Sequence, residues 1–157
     1  MTWEKPRLVI APSGRHIDLM IDLMQELTEP FGLLYVLLNS RGVSPSGRYQ
    51  SPEPTSKVET AQFLKRYSDY FERDGRHHLW VLGVGEKATL VYDQHNVIYA
   101  YGPLDRYERV LQQAGLRPGK VEVPVPHCHR FNEEFDAYQH IIMQHWAWKP
   151  FPLQSVD

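Results

Sequence analysis

The chain has 157 residues, with 17 Lys plus Arg against 19 Asp plus Glu and a formal net charge of −2. This near-neutral balance argues against a dedicated nucleic-acid binder, whose phosphate contacts need a basic excess. The 9 Tyr, 6 Phe and 4 Trp argue against a disordered chain, and a single cysteine rules out an internal disulfide framework and suits a reducing compartment.

The length fits one domain over residues 1–157. Its opening apolar run, 8–11, is too short for a secretory signal. Its longest near-continuous one, 31–38, has strand length rather than the roughly 20 residues of a membrane span. A soluble, cytoplasmic protein is expected, without membrane partners.

In chain order, Leu8, Val9 and Ile10 mark a first strand over 7–11. Pro12, Ser13 and Gly14 break it, and Ser13 is placed to cap a helix over 15–28, where Ile17, Met20, Ile21, Met24 and Leu27 recur at helical spacing. Pro30 stops that helix. The second strand, 31–38, does not alternate. Such a run predicts apolar cover on both faces and, with the preceding strand and helix, a right-handed βαβ unit whose two strands lie side by side. Residues 39–56 form a long polar loop with no apolar period, a length commonly associated with function or mobility.

Ser56 and Glu59 form a capping box at the head of a second helix. Its buried stripe is Phe63, Leu64, Tyr67, Tyr70 and Phe71, and Gly75 closes it. The mixed charges from Lys65 to Arg76 read as a solvated helix face, and His77 and His78 as edge polarity at a strand start. Strands over 78–84, 88–93 and 97–101 are joined by connections so short that only antiparallel hairpins fit. Asp93-Gln94-His95-Asn96 reads as hairpin-turn chemistry. Pro103 opens a third helix over 104–114 and Gly115 caps it, with Leu116 folding back onto the last turn. Val121, Val123 and Val125 alternate as an edge strand carrying Pro124. A last helix begins at Asn132 with Phe135, Tyr138, Ile142 and Trp146 inward, followed by an extended tail, 149–157. The resulting expectation is an α/β fold with α+β character. It has one mixed sheet of five or six strands in the order β-α-β-α-β-β-β-α-β-α, with helices on both faces.

Three constellations carry candidate chemistry. Ser13-Gly14-Arg15 follows the first strand, and Ser46-Gly47-Arg48 lies in the long loop after the second. If those strands were parallel neighbours, both segments would share one sheet edge, where Arg15, Arg41 and Arg48 would clamp a small anionic ligand. Turn chemistry with solvated arginines accounts for the same residues, and no phosphate-loop or dinucleotide glycine pattern is present. The second constellation is a metal site, with zinc as the metal: His127 and His129 share one side of an extended segment, His140 supplies a third ligand, and Glu133 or Asp136 a carboxylate. No recognised ligand spacing supports it, and otherwise no cofactor is expected. The third is nucleophilic: Cys128 and Ser13 lack the spacing of a catalytic pair or a nucleophile elbow. Trp148 with Phe151 reads either as an exposed patch for a partner or a second copy, or as the tail folded onto its own domain.

The reading therefore leans to a non-enzymatic binding protein that engages a protein partner or itself through loop 39–56 and the tail. The alternatives are a small metal-assisted hydrolase or lyase centred on His127 and His129, and an anion binder using Arg15, Arg41 and Arg48.

Overall fold

The computed structural model describes residues 5–121 and 130–157. Strands are β1 (Arg7–Ile10), β2 (Phe31–Leu37), β3 (Gly47–Gln50), β4 (His77–Gly83), β5 (Thr89–Tyr92), β6 (Ile98–Tyr101) and β7 (Lys149–Phe151). Helices are α1 (His16–Gln25), α2 (Lys57–Arg66), α3 (Ser68–Arg73), α4 (Leu104–Gln113) and α5 (Asp136–His145), the last preceded by a 3-10 turn, Glu133–Phe135. The architecture is α+β: one seven-stranded sheet in the order β1-β6-β5-β4-β2-β3-β7, with every neighbouring pair antiparallel.

Three expectations change. The sheet is antiparallel rather than mixed, and it gains two strands, β3 from the long loop and β7 from the tail. β1 and β2 run in the same direction but are not neighbours, because the meander β4-β5-β6 lies between them and β6 pairs with β1. The helices lie on one face rather than two. Ile17, Met20, Leu23 and Met24 of α1, Phe63 and Leu64 of α2, Tyr70 and Phe71 of α3, Tyr107 of α4 and Ile142 of α5 join Leu33, Tyr35, Leu79, Val81, Leu90 and Tyr92 in one core. Each fully buried side chain of that size contributes roughly 1.5–3 kcal/mol over leaving it exposed.

The unbroken apolar run of β2 has a different cause from the one expected. Leu33, Tyr35 and Leu37 meet the helices, while Leu34 and Val36 point to the other face, where the residues beside them in register, Trp80, Arg48 and His78, surround them.

Local signals fared better. The capping box is present, with Glu59 N–H donating to Ser56 Oγ at 3.1 Å and Ser56 N–H donating to Glu59 Oε2 at 2.9 Å. Gly115 takes a left-handed φ of 82°, and Leu116 N–H returns to the Leu111 carbonyl. Ser13 does not cap α1: Arg15, at φ 53°, holds the cap position, and the carboxylate of Glu72 on α3 accepts the Ile17 N–H at 2.8 Å. The second helix is divided at Tyr67 into α2 and α3. The alternating segment 121–125 lies outside the described residues beyond Val121.

The largest departure is at Arg76 and His77. Arg76 is completely buried, ion-paired to Asp74 at 2.7 Å and Asp136 at 3.0 Å, and donates to Gln139 Oε1 and the Asn132 carbonyl. Burial pushes the Asp74 carboxyl up, but the Arg76 guanidinium and the Asn132 N–H outweigh it and hold it below the usual carboxylate value. Asp136 also pairs with Arg41, and Gln139 accepts the Arg41 N–H, so the knot ties the 40–46 loop to α5 and the β4 entry. His77 is equally buried, its Nε2–H donating to the Phe71 carbonyl among Tyr35, Tyr70 and Phe71. A polar-looking stretch therefore serves as core, because its charges are paired with each other.

Candidate functional site

Helices on one side leave the other side of the sheet to residues that alternate with the core set. Strand register arranges them in rows: Arg7, Tyr101, Thr89 and Leu82; then Val9, Tyr99, Val91, Trp80, Leu34 and Gln50; then His78, Val36, Arg48 and Phe151. Along this face runs a groove of about 1020 Å³, lined by Arg7, His78, Trp80, Asp93, Tyr99 and Tyr101, with Lys5, Lys87 and Val156 also contributing. No helical residue lines it among the described residues.

Cations sit on rings here. The Arg7 guanidinium lies 4.8 Å from the Tyr99 ring centre and 5.9 Å from that of Tyr101, and donates to the Tyr101 hydroxyl at 2.8 Å. Arg48 lies 5.2 Å from the Trp80 ring, and its Nε is 3.3 Å from Asp157 Oδ2. Such cation–π contacts contribute about 0.5–1 kcal/mol each at exposed sites and more when water is excluded. The His78 tautomer follows from its partners: Nδ1 accepts the Gln94 N–H, so Nε2 carries the proton and donates to the Asp157 carbonyl at 3.2 Å. Burial lowers the His78 pKa against the opposing pull of that carbonyl and of Asp93, in keeping with a neutral ring.

Asp93 is already engaged. Its Oδ1 accepts the His95 and Val97 N–H groups at 2.9 and 3.1 Å, and His95 Nδ1 is 3.3 Å from Oδ2. This is the turn chemistry read from the sequence, with Asn96 at φ 60°. Among the described residues, Lys5, Arg7 and Lys87 line the groove together with one carboxylate, Asp93, that the turn occupies. Rings, aliphatic side chains and cations suit recognition of an anionic group attached to an apolar body.

No protein-family model, curated protein or solved structure matches this chain.

The arginines of the anion candidate are apart. Four strand spacings separate β1 from β2, about 19 Å at the usual distance between strands. Arg15 is 86% exposed and paired with Asp18, Arg41 pairs with Asp136, and Arg48 pairs with Asp157. A Cβ on Gly14 would meet nothing within 4 Å, whereas one on Gly47 would meet the Phe151 carbonyl at 3.0 Å, so Gly47 admits β7. Ser46 Oγ accepts the Ser40 N–H. The loop is knitted internally by this bond and by the Tyr49 hydroxyl to the Pro45 carbonyl, and tied to β2 by the Leu33 N–H donating to Ser51 Oγ.

Of the metal candidate, His127 and His129 lie outside the described residues, as does Cys128. His140 is exposed on α5, and among the described residues no group of three or more His, Cys, Asp or Glu is placed to hold a metal. Trp148 packs inward, against Tyr35 and Phe63, with its Nε1–H on the Ile142 carbonyl at 2.7 Å, while Phe151 remains exposed. No helix among the described residues is long and apolar enough to cross a membrane.

Sequence reading did not single out Arg7, Trp80, Tyr99 and Tyr101. For Trp80, Tyr99 and Tyr101 the signal was the period-two alternation within the meander, which sets them opposite the buried Leu79, Val81, Ile98 and Ala100.

Proposed function

We propose that the protein is a non-enzymatic binding protein whose recognition surface is the helix-free face of its sheet. The observation that carries this reading is the groove of about 1020 Å³, in which the Arg7 guanidinium lies on the Tyr99 ring and Lys5 and Lys87 also line the wall. The 39–56 loop contributes through β3 and Arg48 rather than as a free arm, and the tail contributes through β7 and the segment beyond it. A protein partner with local negative charge suits this surface.

The test is affinity capture from the native cell with three forms of the chain: the parent, Thr89→Glu and Val43→Asp. Thr89 stands in the middle of the groove, between Tyr101 and Leu82 in register, so Thr89→Glu puts a carboxylate among its cations. Val43 is 92% exposed in the loop, away from the groove lining. A partner held by the parent and by Val43→Asp, but weakened roughly tenfold or more by Thr89→Glu, is the expected result. Capture indifferent to Thr89→Glu but lost with Val43→Asp would move recognition to the loop and overturn the reading.

A further inference from the structure

Part of the helix-free face already holds a ligand-like group from the chain itself. The Asp157 side chain is only 2% exposed. Its Oδ2 accepts the Gln154 N–H at 2.7 Å and lies 3.3 Å from Arg48 Nε, while its carbonyl accepts from His78 Nε2. Arg48 and His78 are the register neighbours of Val36 on either side, so Asp157 bridges over Val36 and accounts for its complete burial on a face without helices. Val156, which precedes Asp157, borders the groove and is 76% exposed. The fit is incomplete. Asp157 Oδ1, Arg48 Nε and Trp80 Nε1 are buried without a hydrogen-bond partner among the described residues, and buried polar groups in native proteins are generally satisfied.

We propose that segment 152–157 is an internal occupant of the recognition face, and that the external ligand is a protein segment presenting a carboxylate from a tight turn, as Gln154–Asp157 does, which displaces it. The inference rests on the binding-protein reading above and specifies its partner. The occupant shows the chemistry this face takes: a carboxylate against Arg48 and a backbone carbonyl against His78. The free part of the groove continues the same preference, with Lys5, Arg7 and Lys87 facing it. A single-stranded nucleic acid fits less well, because the rings that bases would stack on, Tyr99 and Trp80, are already covered by Arg7 and Arg48. An acidic partner loses apparent affinity in proportion to the fraction of molecules in which the internal segment is docked.

The probe is a peptide of sequence Pro-Leu-Gln-Ser-Val-Asp, acetylated and amidated so that its one carboxylate is the side chain, titrated by tryptophan fluorescence. Asp157→Ala in the full chain is expected to bind it roughly tenfold more tightly than the parent does, and a probe with Asn in place of Asp to bind neither. Equal affinity for parent and Asp157→Ala overturns the proposal. So does absence of binding to a variant with the parent's circular dichroism, equal binding of the Asn probe, or tighter binding of a uridine oligonucleotide of about ten residues.

If Asp157→Ala does not fold, the parent is used. Amide hydrogen exchange over 153–157 should accelerate as the probe is added, and unchanged exchange at roughly millimolar probe overturns the displacement. A captured partner sensitive to Thr89→Glu that leaves exchange over 153–157 unchanged keeps the binding face and overturns only the internal occupant.

Discussion

On the helix-covered face Tyr35, Leu79 and Leu90 are fully buried, and even the charges there are paired, Arg76 with Asp74 and Asp136. On the opposite face Trp80, Tyr99 and Tyr101 stay partly exposed beneath arginines. Five buried side-chain polar atoms lack a hydrogen-bond partner among the described residues. Three of them, Arg48 Nε, Trp80 Nε1 and Asp157 Oδ1, belong to the helix-free face, and Gln94 Oε1 lies beside it. His77 Nδ1 is the exception on the covered side. The contrast teaches how to tell a polar group that holds a fold from one whose hydrogen bonds the fold leaves unmade. The first is buried with all its neighbours in place, while the second sits in a concave, partly wetted surface with its hydrogen-bonding capacity unfilled.

The strongest way to break that contrast is Arg76→Met. Removing one member of a buried ion pair leaves Asp74 enclosed and uncompensated, so a loss of about 3–5 kcal/mol is expected in urea denaturation. Asp74→Asn combined with Arg76→Met should recover part of it. A loss below about 1 kcal/mol would show that the knot is not structural.

Acid should act next, through the covered face. Burial lowers the His77 pKa to about 4, against 6.5 for the ordinary group, so the folded form keeps the ring neutral while the unfolded chain takes the proton. The contribution to stability is fully present above pH 6.5, falls as pH drops through the window to about 4, and levels off below it; a difference of that size corresponds to about 3 kcal/mol. Burial lowers His16 and His145 in the same direction. Denaturation midpoints across this range should show the slope, and His77→Leu should flatten it. A parental slope in that variant would assign the effect elsewhere.

The smallest effect sharpens the contrast from the other side. Lys87 is exposed at the groove, so Lys87→Glu should change stability by no more than about 0.5 kcal/mol. The same change should weaken an acidic partner measurably, as a fall in association rate at low salt. Destabilisation without any effect on binding would make Lys87 a structural residue.

Local order was legible in the residues themselves. The Ser56–Glu59 box, the Gly115 cap, the Asp93–Asn96 turn, the α1 stripe and the meander all depend on neighbours a few positions away, and the chemistry of those neighbours is written in the chain. Strand order was not legible. The run Phe31–Leu37 states that β2 is covered on both sides but not by what, since a helix on one side and an arginine, a tryptophan and Asp157 on the other exclude water equally well. Nor does a charge announce its partner: Arg76 pairs with Asp136, and Arg48 with Asp157, across gaps that no periodicity spans.

By itself, then, the sequence determined where the helical stripes, β1, β2 and the meander strands form, because those follow from local backbone preference and spacing. Only the tertiary structure decided that the meander inserts between β1 and β2, that all helices gather on one face, and that Arg7, Trp80, Tyr99 and Tyr101 meet on the other. Long-range pairing is chosen by the total of many small contacts, and no single segment carries that sum.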